Sequence, residues 1–409
     1  MADKLAIGIQ DIEAAAEKLK GRVIETPMLH APMLSDTLGA ELYLKLENLQ
    51  YTSSFKARGA CLAIDALDEA SKKRGVITMS AGNHAQAVAY RASEAGIKSV
   101  IVMPQQTPFA KVSRTEQFGG IVLQEGRNLN ECESRVKAEM DAHGYSLIHP
   151  YDNPHVMAGQ GTVGLEMMAA VPDLDCLIVP IGGGGLISGI AIAAKSINPD
   201  IKIYGVEAAL YPSMSQKVLN HQGSCGGETL AEGIAVKTPG GLTAPVVKEL
   251  VDDILLVSET SLEWAVGALV EQQRIVAEGA GAAGIAALYE HKDQFKGQKV
   301  GVVICGGNID TRLMGSILTR NMVSDGRLTR LRIDISDEPG MLAAITDAIS
   351  ACGGNIVEVY HQRLFYNVPA KLAKIDVVVD TRGPQHVQQI IKALHDRSFT
   401  VTMLDEHSG

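Results

Sequence analysis

From Val76 to Val206 the chain repeats one pattern, a short aliphatic run followed by a longer run with helical spacing. Strands are expected at Val76–Met79, Ser99–Met103, Ile121–Leu123 and Ser146–Ile148, alternating with helices at 83–94, 109–118 and 129–142. The alternation resumes with a helix at 162–170, a strand at 176–181, a helix at 186–196 and a strand at 201–206. Helices over 261–276 and 280–290, a strand at 300–304 and a helix at 310–320 follow. Strands that alternate with helices of this length form parallel sheets covered on both faces. Two such stretches predict an α/β protein with two lobes and a cleft between them. Ligands of open α/β sheets bind at the C-terminal ends of the strands, so the residues that follow each strand carry the functional argument.

The pattern changes near Ser324-Asp325-Gly326. Beyond it the spacing predicts strand, helix, strand, strand, helix and strand over 329–335, 341–351, 355–362, 375–380, 386–396 and 400–404. This βαββαβ order is ferredoxin-like and long enough for a small domain of its own.

Charge and cysteine usage exclude several classes. The net charge is -10 with no basic cluster, which argues against nucleic acid. The six cysteines stand singly, without metal or disulfide spacing, and fit a reducing cytosol. The N-terminus lacks an apolar signal core, and the most apolar helical run, 186–194, stops at Lys195, too short for a membrane span.

Four segments hold candidate chemistry. In Thr52-Ser53-Ser54-Phe55-Lys56 a lysine precedes a helical run. A lysine at a helix start, shielded from water, loses its proton more easily and becomes a nucleophile of the Schiff-base type; the alternative is a solvated, idle side chain. Ser80-Ala81-Gly82-Asn83-His84-Ala85-Gln86 joins a strand to a helix, as an anion cradle or as an ordinary Asn-capped turn. Gly182-Gly183-Gly184-Gly185-Leu186 offers unobstructed amides to a phosphate. Glu207 ends the next strand at a spacing that keeps a dinucleotide reading open, although the glycine pattern is imperfect for it. Cys305-Gly306-Gly307-Asn308 follows the last apolar strand and reads either as a site facing a cofactor ring or as a tight turn with a core cysteine.

These segments, with Leu230-Ala231-Glu232-Gly233-Ile234, resemble the pyridoxal-phosphate serine/threonine dehydratases, enzymes of fold type II related to the tryptophan synthase β chain. Asp337-Glu338-Pro339-Gly340 and Gly353-Gly354-Asn355-Ile356 resemble an ACT regulatory domain, and the pairing looks like the single-ACT threonine ammonia-lyases. The resemblance implies a two-lobed catalytic domain over 1–324, its small lobe roughly 48–155, and an ACT domain over 327–409. It implies pyridoxal 5'-phosphate as cofactor, with Lys56 as the lysine that carries it and Phe55 packing on its ring. Asn83 then bonds the ring 3-oxygen, Gly182, Gly183, Gly184, Gly185 and Leu186 hold the phosphate, and Cys305 faces the pyridine nitrogen. Ser80, Asn83 and His84 lie in the loop that holds the substrate carboxylate.

Three positions depart from the family pattern. Ser53 stands where glycine is usual, so either the backbone there is strained or the loop is shifted. Ala81 replaces the second acid/base serine of the related serine racemases, which disfavours racemisation. Glu207 matches a metal ligand of those racemases, but Ser213 stands where the second acid would be, so no divalent metal is expected; a monovalent ion stays open. The implied activity is α,β-elimination of L-threonine to 2-oxobutanoate and ammonia, with secondary activity on L-serine. Isoleucine or valine would act at the ACT domain of a cytoplasmic homodimer or homotetramer. Rival readings are a dehydratase for serine or 3-hydroxyaspartate, and a nucleotide-binding amino-acid sensor that would use the glycine loop for NAD.

Overall fold

A computed structural model describes residues 5–127, 129–362 and 371–404. The chain divides into two compact units, Met1–Asp310 and Thr311–Gly409.

The first unit holds two sheets. In the smaller, all-parallel sheet the strand order is Ile121–Gln124, Ser99–Met103, Val76–Met79, Ser146–Leu147. Its strands alternate between two buried faces. Val76, Ile101 and Met103 pack with Ile64 and Val88 on one side, while Ile77, Val100 and Val102 pack with Cys132 and Val136 on the other. That two-sided burial is why these strands read as continuous apolar runs. The larger sheet has the order Met28–His30, Glu41–Lys45, Lys299–Val303, Cys176–Pro180, Lys202–Ala208, Asp253–Val257; only the first pair is antiparallel. Strand 176–180 is buried at every residue.

The helix at 83–94 and the strand at 99–103 have the expected bounds. The helix expected at 162–170 begins at Pro154, where Asn153 caps the amides of His155 and Val156 and proline occupies the first turn. Strands Met28–His30 and Asp253–Val257 are additions to the sequence pattern.

The second unit begins with helix Thr311–Ser324 and continues in the order strand, helix, strand, strand, helix, strand. Its antiparallel sheet is ordered Asn355–Gln362, Leu372–Asp380, Leu328–Ser336, Thr400–Met403. Leu331, Ile333 and Ile335 face Ile345, Ile349, Ile390 and Leu394 from the two helices, Met341–Ala351 and Pro384–Asp396. Arg330 and Arg332 alternate with those residues and both pair with the buried Asp376.

Among the described residues no helix is long and apolar enough to cross a membrane, and no group of three or more His, Cys, Asp or Glu is arranged to hold a metal ion.

Candidate active site

Lys56 is the first residue of helix Lys56–Asp65. The segment before it is stitched to the loop after strand 299–303. Ser54 and Gly306 form an antiparallel bridge, Phe55 N donates to Cys305 O (3.2 Å), and Gly307 N donates to Ser53 O (2.9 Å). The two motifs are thus one structure. Ser53 adopts φ = 56°, the left-handed region where glycine is at ease. The backbone therefore keeps the shape that glycine would favour, and the serine carries the strain.

The Lys56 amine donates to the carbonyl of Pro150 (2.8 Å) and lies 5.0 Å from the centroid of the Phe55 ring. Burial lowers its pKa to about 8, against the opposing pull of Cys305 and Glu278. A free amine at near-neutral pH is the property a Schiff-base lysine requires.

Glu278 was not legible as a site residue. It precedes the small, apolar helix Gly279–Glu290. Its Oε1 accepts from Asn83 Nδ2 (2.5 Å), and Asn83 Oδ1 accepts from Asn308 Nδ2 (2.6 Å), which also donates to Thr52 O (2.9 Å). The Asn83 amide is therefore fixed at both ends. Burial raises the Glu278 pKa to about 7, and the Asn83 hydrogen bond only partly offsets this. The one sequence signal was a lone acid at the head of a run of glycines and alanines.

Cys305 is buried, and its Sγ donates to Ala280 O (3.4 Å). Burial, with the Glu278 carboxylate nearby, raises its pKa strongly, so the group is a neutral thiol. In the loop after strand 76–79, Gly82 N donates to the Ser80 hydroxyl (3.2 Å). His84 sits beneath this loop at 3% exposure, with Nε2 bonded to Ile148 O (2.9 Å). Burial, then the proximity of Lys56, lowers its pKa to about 3, so it is a neutral tether to the next strand.

The four glycines link strand 176–180 to helix Gly185–Ile197. Gly184 has φ = 96°, and a Cβ there would lie 2.6 Å from Met214 and from Thr243. A Cβ on Gly183 would fall inside the Tyr151 ring, at 2.2 Å. The loop is thus shaped for glycine on both conformational and steric grounds. The segment His149-Pro150-Tyr151-Asp152, which carries no motif, reaches three parts of the site. Pro150 O receives the lysine, Tyr151 covers Gly183 and donates to Thr238 O (2.9 Å), and Asp152 accepts from the amides of Gly241 and Leu242. Its position after a parallel strand and before a capped helix was the available signal.

Glu207 is fully buried and accepts from the amides of Met214 and Ser215 (2.7 and 2.9 Å). With those hydrogen bonds made inside the protein, it does not serve as a ribose acceptor for a dinucleotide.

The residues of the site fit pyridoxal phosphate. A shielded amine of lowered pKa, a glycine loop at a helix N-terminus, a fixed amide and a neutral thiol stand at the C-terminal ends of three parallel strands. Thr52 Oγ1, Ser54 Oγ and Asn308 Oδ1 are buried there without a hydrogen-bond partner. An aldehyde-bearing aromatic phosphate suits this donor set.

Comparison with known proteins gives the same chemistry. Residues 19–306 match the model of the family described as pyridoxal-phosphate dependent enzyme. The chain is 41% identical over 400 residues to an L-threonine ammonia-lyase of Thermotoga maritima, covering 97% of this chain and 100% of that protein. Among solved structures, the processed form of threonine deaminase isoform 2 from Solanum lycopersicum matches with a TM-score of 0.72 and 31% identity, over 78% of this chain and 92% of that one. Serine racemase of Dictyostelium discoideum matches with a TM-score of 0.69 and 39% identity, over 74% and 99%. On the site's geometry and on these matches together, this chain belongs to the family of pyridoxal-phosphate dependent enzymes.

Proposed function

We propose that this chain is a threonine ammonia-lyase. It uses pyridoxal 5'-phosphate to eliminate the β-hydroxyl of L-threonine, giving 2-oxobutanoate and ammonia, with secondary activity on L-serine. The observation that carries the reading is the partly buried Lys56 amine, which donates to Pro150 O (2.8 Å) from a segment joined to the Cys305 loop. The 41% identity to the Thermotoga maritima protein, over an alignment that covers 97% of this chain, supports the same reading.

In this reading Lys56 carries the cofactor and Phe55 packs beside its ring. Gly182, Gly183, Gly184, Gly185 and Leu186 hold the phosphate through backbone amides at the helix start. Asn83, with one Nδ2 hydrogen committed to Glu278, gives the second to the 3-oxygen. Ser80, Asn83 and the loop that His84 tethers receive the substrate carboxylate. When bound, the cofactor supplies a ring that stabilises negative charge on the substrate α-carbon. Lys56 Nζ, once unprotonated, takes the α-proton. Cys305, a neutral thiol, would face the ring nitrogen without offering it a charge partner, which would favour prompt departure of the hydroxyl as water, the α-proton and the hydroxyl being the two fragments lost. The released 2-aminobut-2-enoate tautomerises and hydrolyses in water to the keto acid and ammonia.

Serine racemisation is the second reading, since racemase structures match this fold. Ala81 weighs against it, because it has no proton to give and packs against the core of the small sheet.

The catalytic domain is read as 1–324 and the ACT domain as 327–409, supported by the four-stranded antiparallel sheet with its two helices. Isoleucine or valine as effector, a role in isoleucine synthesis and a homodimer or homotetramer belong to the same reading. No disulfide joins any of the six cysteines, in keeping with a reducing cytoplasm.

The test is a panel of threonine, serine and 3-hydroxyaspartate assayed for keto-acid release, with Lys56→Ala as control. Threonine should lead, and Lys56→Ala should lose both turnover and the yellow colour of the loaded protein. Turnover that survives this substitution overturns the reading.

A further inference from the structure

Behind the active site lies a cluster of two cations and two anions that the reaction does not use, buried at Lys45, Glu47 and Arg58 and one-fifth exposed at Glu166. Arg58 is two residues past Lys56, on the first turn of the same helix, and is fully buried. It pairs with Glu47 through Nε (2.9 Å) and Nη2 (2.7 Å). It pairs with Glu166 through Nη1 (2.5 Å) and Nη2 (2.8 Å), and Nη1 also donates to Thr162 Oγ1 (3.0 Å). Lys45 donates to Glu166 (2.5 Å) and to Thr26 O (2.5 Å), and the Thr26 hydroxyl donates to Glu47 (2.5 Å). The guanidinium therefore engages two carboxylates from different elements.

We propose that Arg58 is a positioning residue for Lys56: its paired forks to Glu47 and Glu166 fix the segments that surround the lysine amine relative to one another. The inference rests on the reading of Lys56 given above.

Four segments meet in the cluster; besides the one that carries Thr26, three lead to a group around the amine. Lys45 ends the strand paired with 299–303, the strand that runs into Cys305. Arg58 belongs to the helix that Lys56 begins. Thr162 and Glu166 lie on helix 154–170, whose lead-in carries the Pro150 carbonyl that receives the lysine. The last two helices touch backbone to backbone: a Cβ on Gly159 would lie 2.8 Å from Gly59 Cα and 2.9 Å from Arg58 O. The side chains of Gln160 and Val156 close over Gly59 at this contact, and the forked guanidinium adds a directional tie beside it.

The chemistry of the cluster fits positioning better than stabilisation. A buried ion-pair network gains little over apolar residues of the same shape, because its charges are stripped of water. A planar fork that satisfies two carboxylates does define distance and angle on both sides. The cluster has two positive and two negative charges, so it places no net charge behind the lysine.

The experiment uses the full chain and two variants. Arg58→Lys keeps the charge but loses the fork. Glu166→Gln keeps the shape and leaves the Arg58–Glu47 pair in place, so it carries the test if Arg58→Lys does not fold. Phe295→Leu, in the core of the same unit, is the control for general destabilisation, compared at equal distance below each melting temperature. Two readouts are taken. One is kcat and KM for threonine; the other is the labelling rate of Lys56 by an amine reagent in the cofactor-free protein, followed by peptide mass spectrometry. The variants should lower kcat by about tenfold or more with KM within about threefold, the pattern of a misplaced reacting group. They should also change Lys56 labelling, while the control changes neither. Wild-type kcat and labelling in the folded variants, or the same losses in the control, overturn the proposal. If the wild type releases no keto acid, the reading of function fails instead, and the labelling arm, which needs no substrate, still decides the role of Arg58.

Discussion

Glu278 shows what folding adds at the scale of a residue. It has no motif around it, yet it fixes Asn83 and titrates near pH 7. Its folded pKa lies above its unfolded value, so the folded state holds the proton more tightly. Stability from this group is present below the unfolded value and is lost as pH rises through about 7. Glu278→Gln should therefore flatten the fall in melting temperature between pH 5 and pH 8, measured on the cofactor-free protein; an unchanged profile refutes the assignment. Ser53 gives a second case. The sequence posed strain or a shifted loop, and φ = 56° shows that the strain is present. Ser53→Gly should relieve about 1 kcal/mol of it, less the hydrogen bond that Arg114 Nη2 donates to Ser53 Oγ (3.2 Å). The check is the urea midpoint, which should not fall. Lys56 and Cys305 were legible because their motifs are local. Pro150 and Tyr151 were not, because they act through a carbonyl and a ring face brought in from elsewhere in the chain.

At the scale of elements, legibility followed burial pattern and glycine content. The small sheet read clearly because both its faces are apolar and its helices close on ordinary caps. The first half of helix 154–170 is not expected from the sequence because Gly159 and Gly161, with Gly164 beyond them, dilute its helical signal. Those glycines are there for packing: Cβ atoms on them would meet Gly59, Ile12 and Ile190 at 3.0 Å or less. The strand 253–257 was missed because its apolar run of four is too short for periodicity to separate from a helix. The glycine loop supplies the prediction for this scale. Gly184→Ala combines a left-handed φ with a Cβ 2.6 Å from Met214 and Thr243. It should weaken cofactor binding by about tenfold or more, from a strain of about 1–3 kcal/mol. A spectroscopic titration of the cofactor-free protein measures this, and an unaltered affinity counts against the loop as the phosphate holder.

At the scale of the molecule, the two units have different logic. The first brings its chemistry to strand ends, and the second buries one face of an antiparallel sheet under two helices while Asp376 gathers Arg330 and Arg332. Regulation is the prediction that belongs here. Titrating isoleucine or valine should change the activity of the full chain by about fivefold or more, the usual size of a coupling between sites. A chain ending at Ser324 should not respond, and an equal response from it would remove the second unit from the account. The stitching of the lysine segment to the Cys305 loop has its own consequence for how the protein is made. Asn308 and Thr52, which the stitch joins, lie 256 positions apart. A ribosome adding roughly 5–20 residues per second needs about 10–50 s to cover that interval. Throughout it the nascent lysine segment lacks the Cys305 loop, even after Pro150 and Glu166 have been made, so vitamin capture must wait until the last strand of the large sheet has emerged.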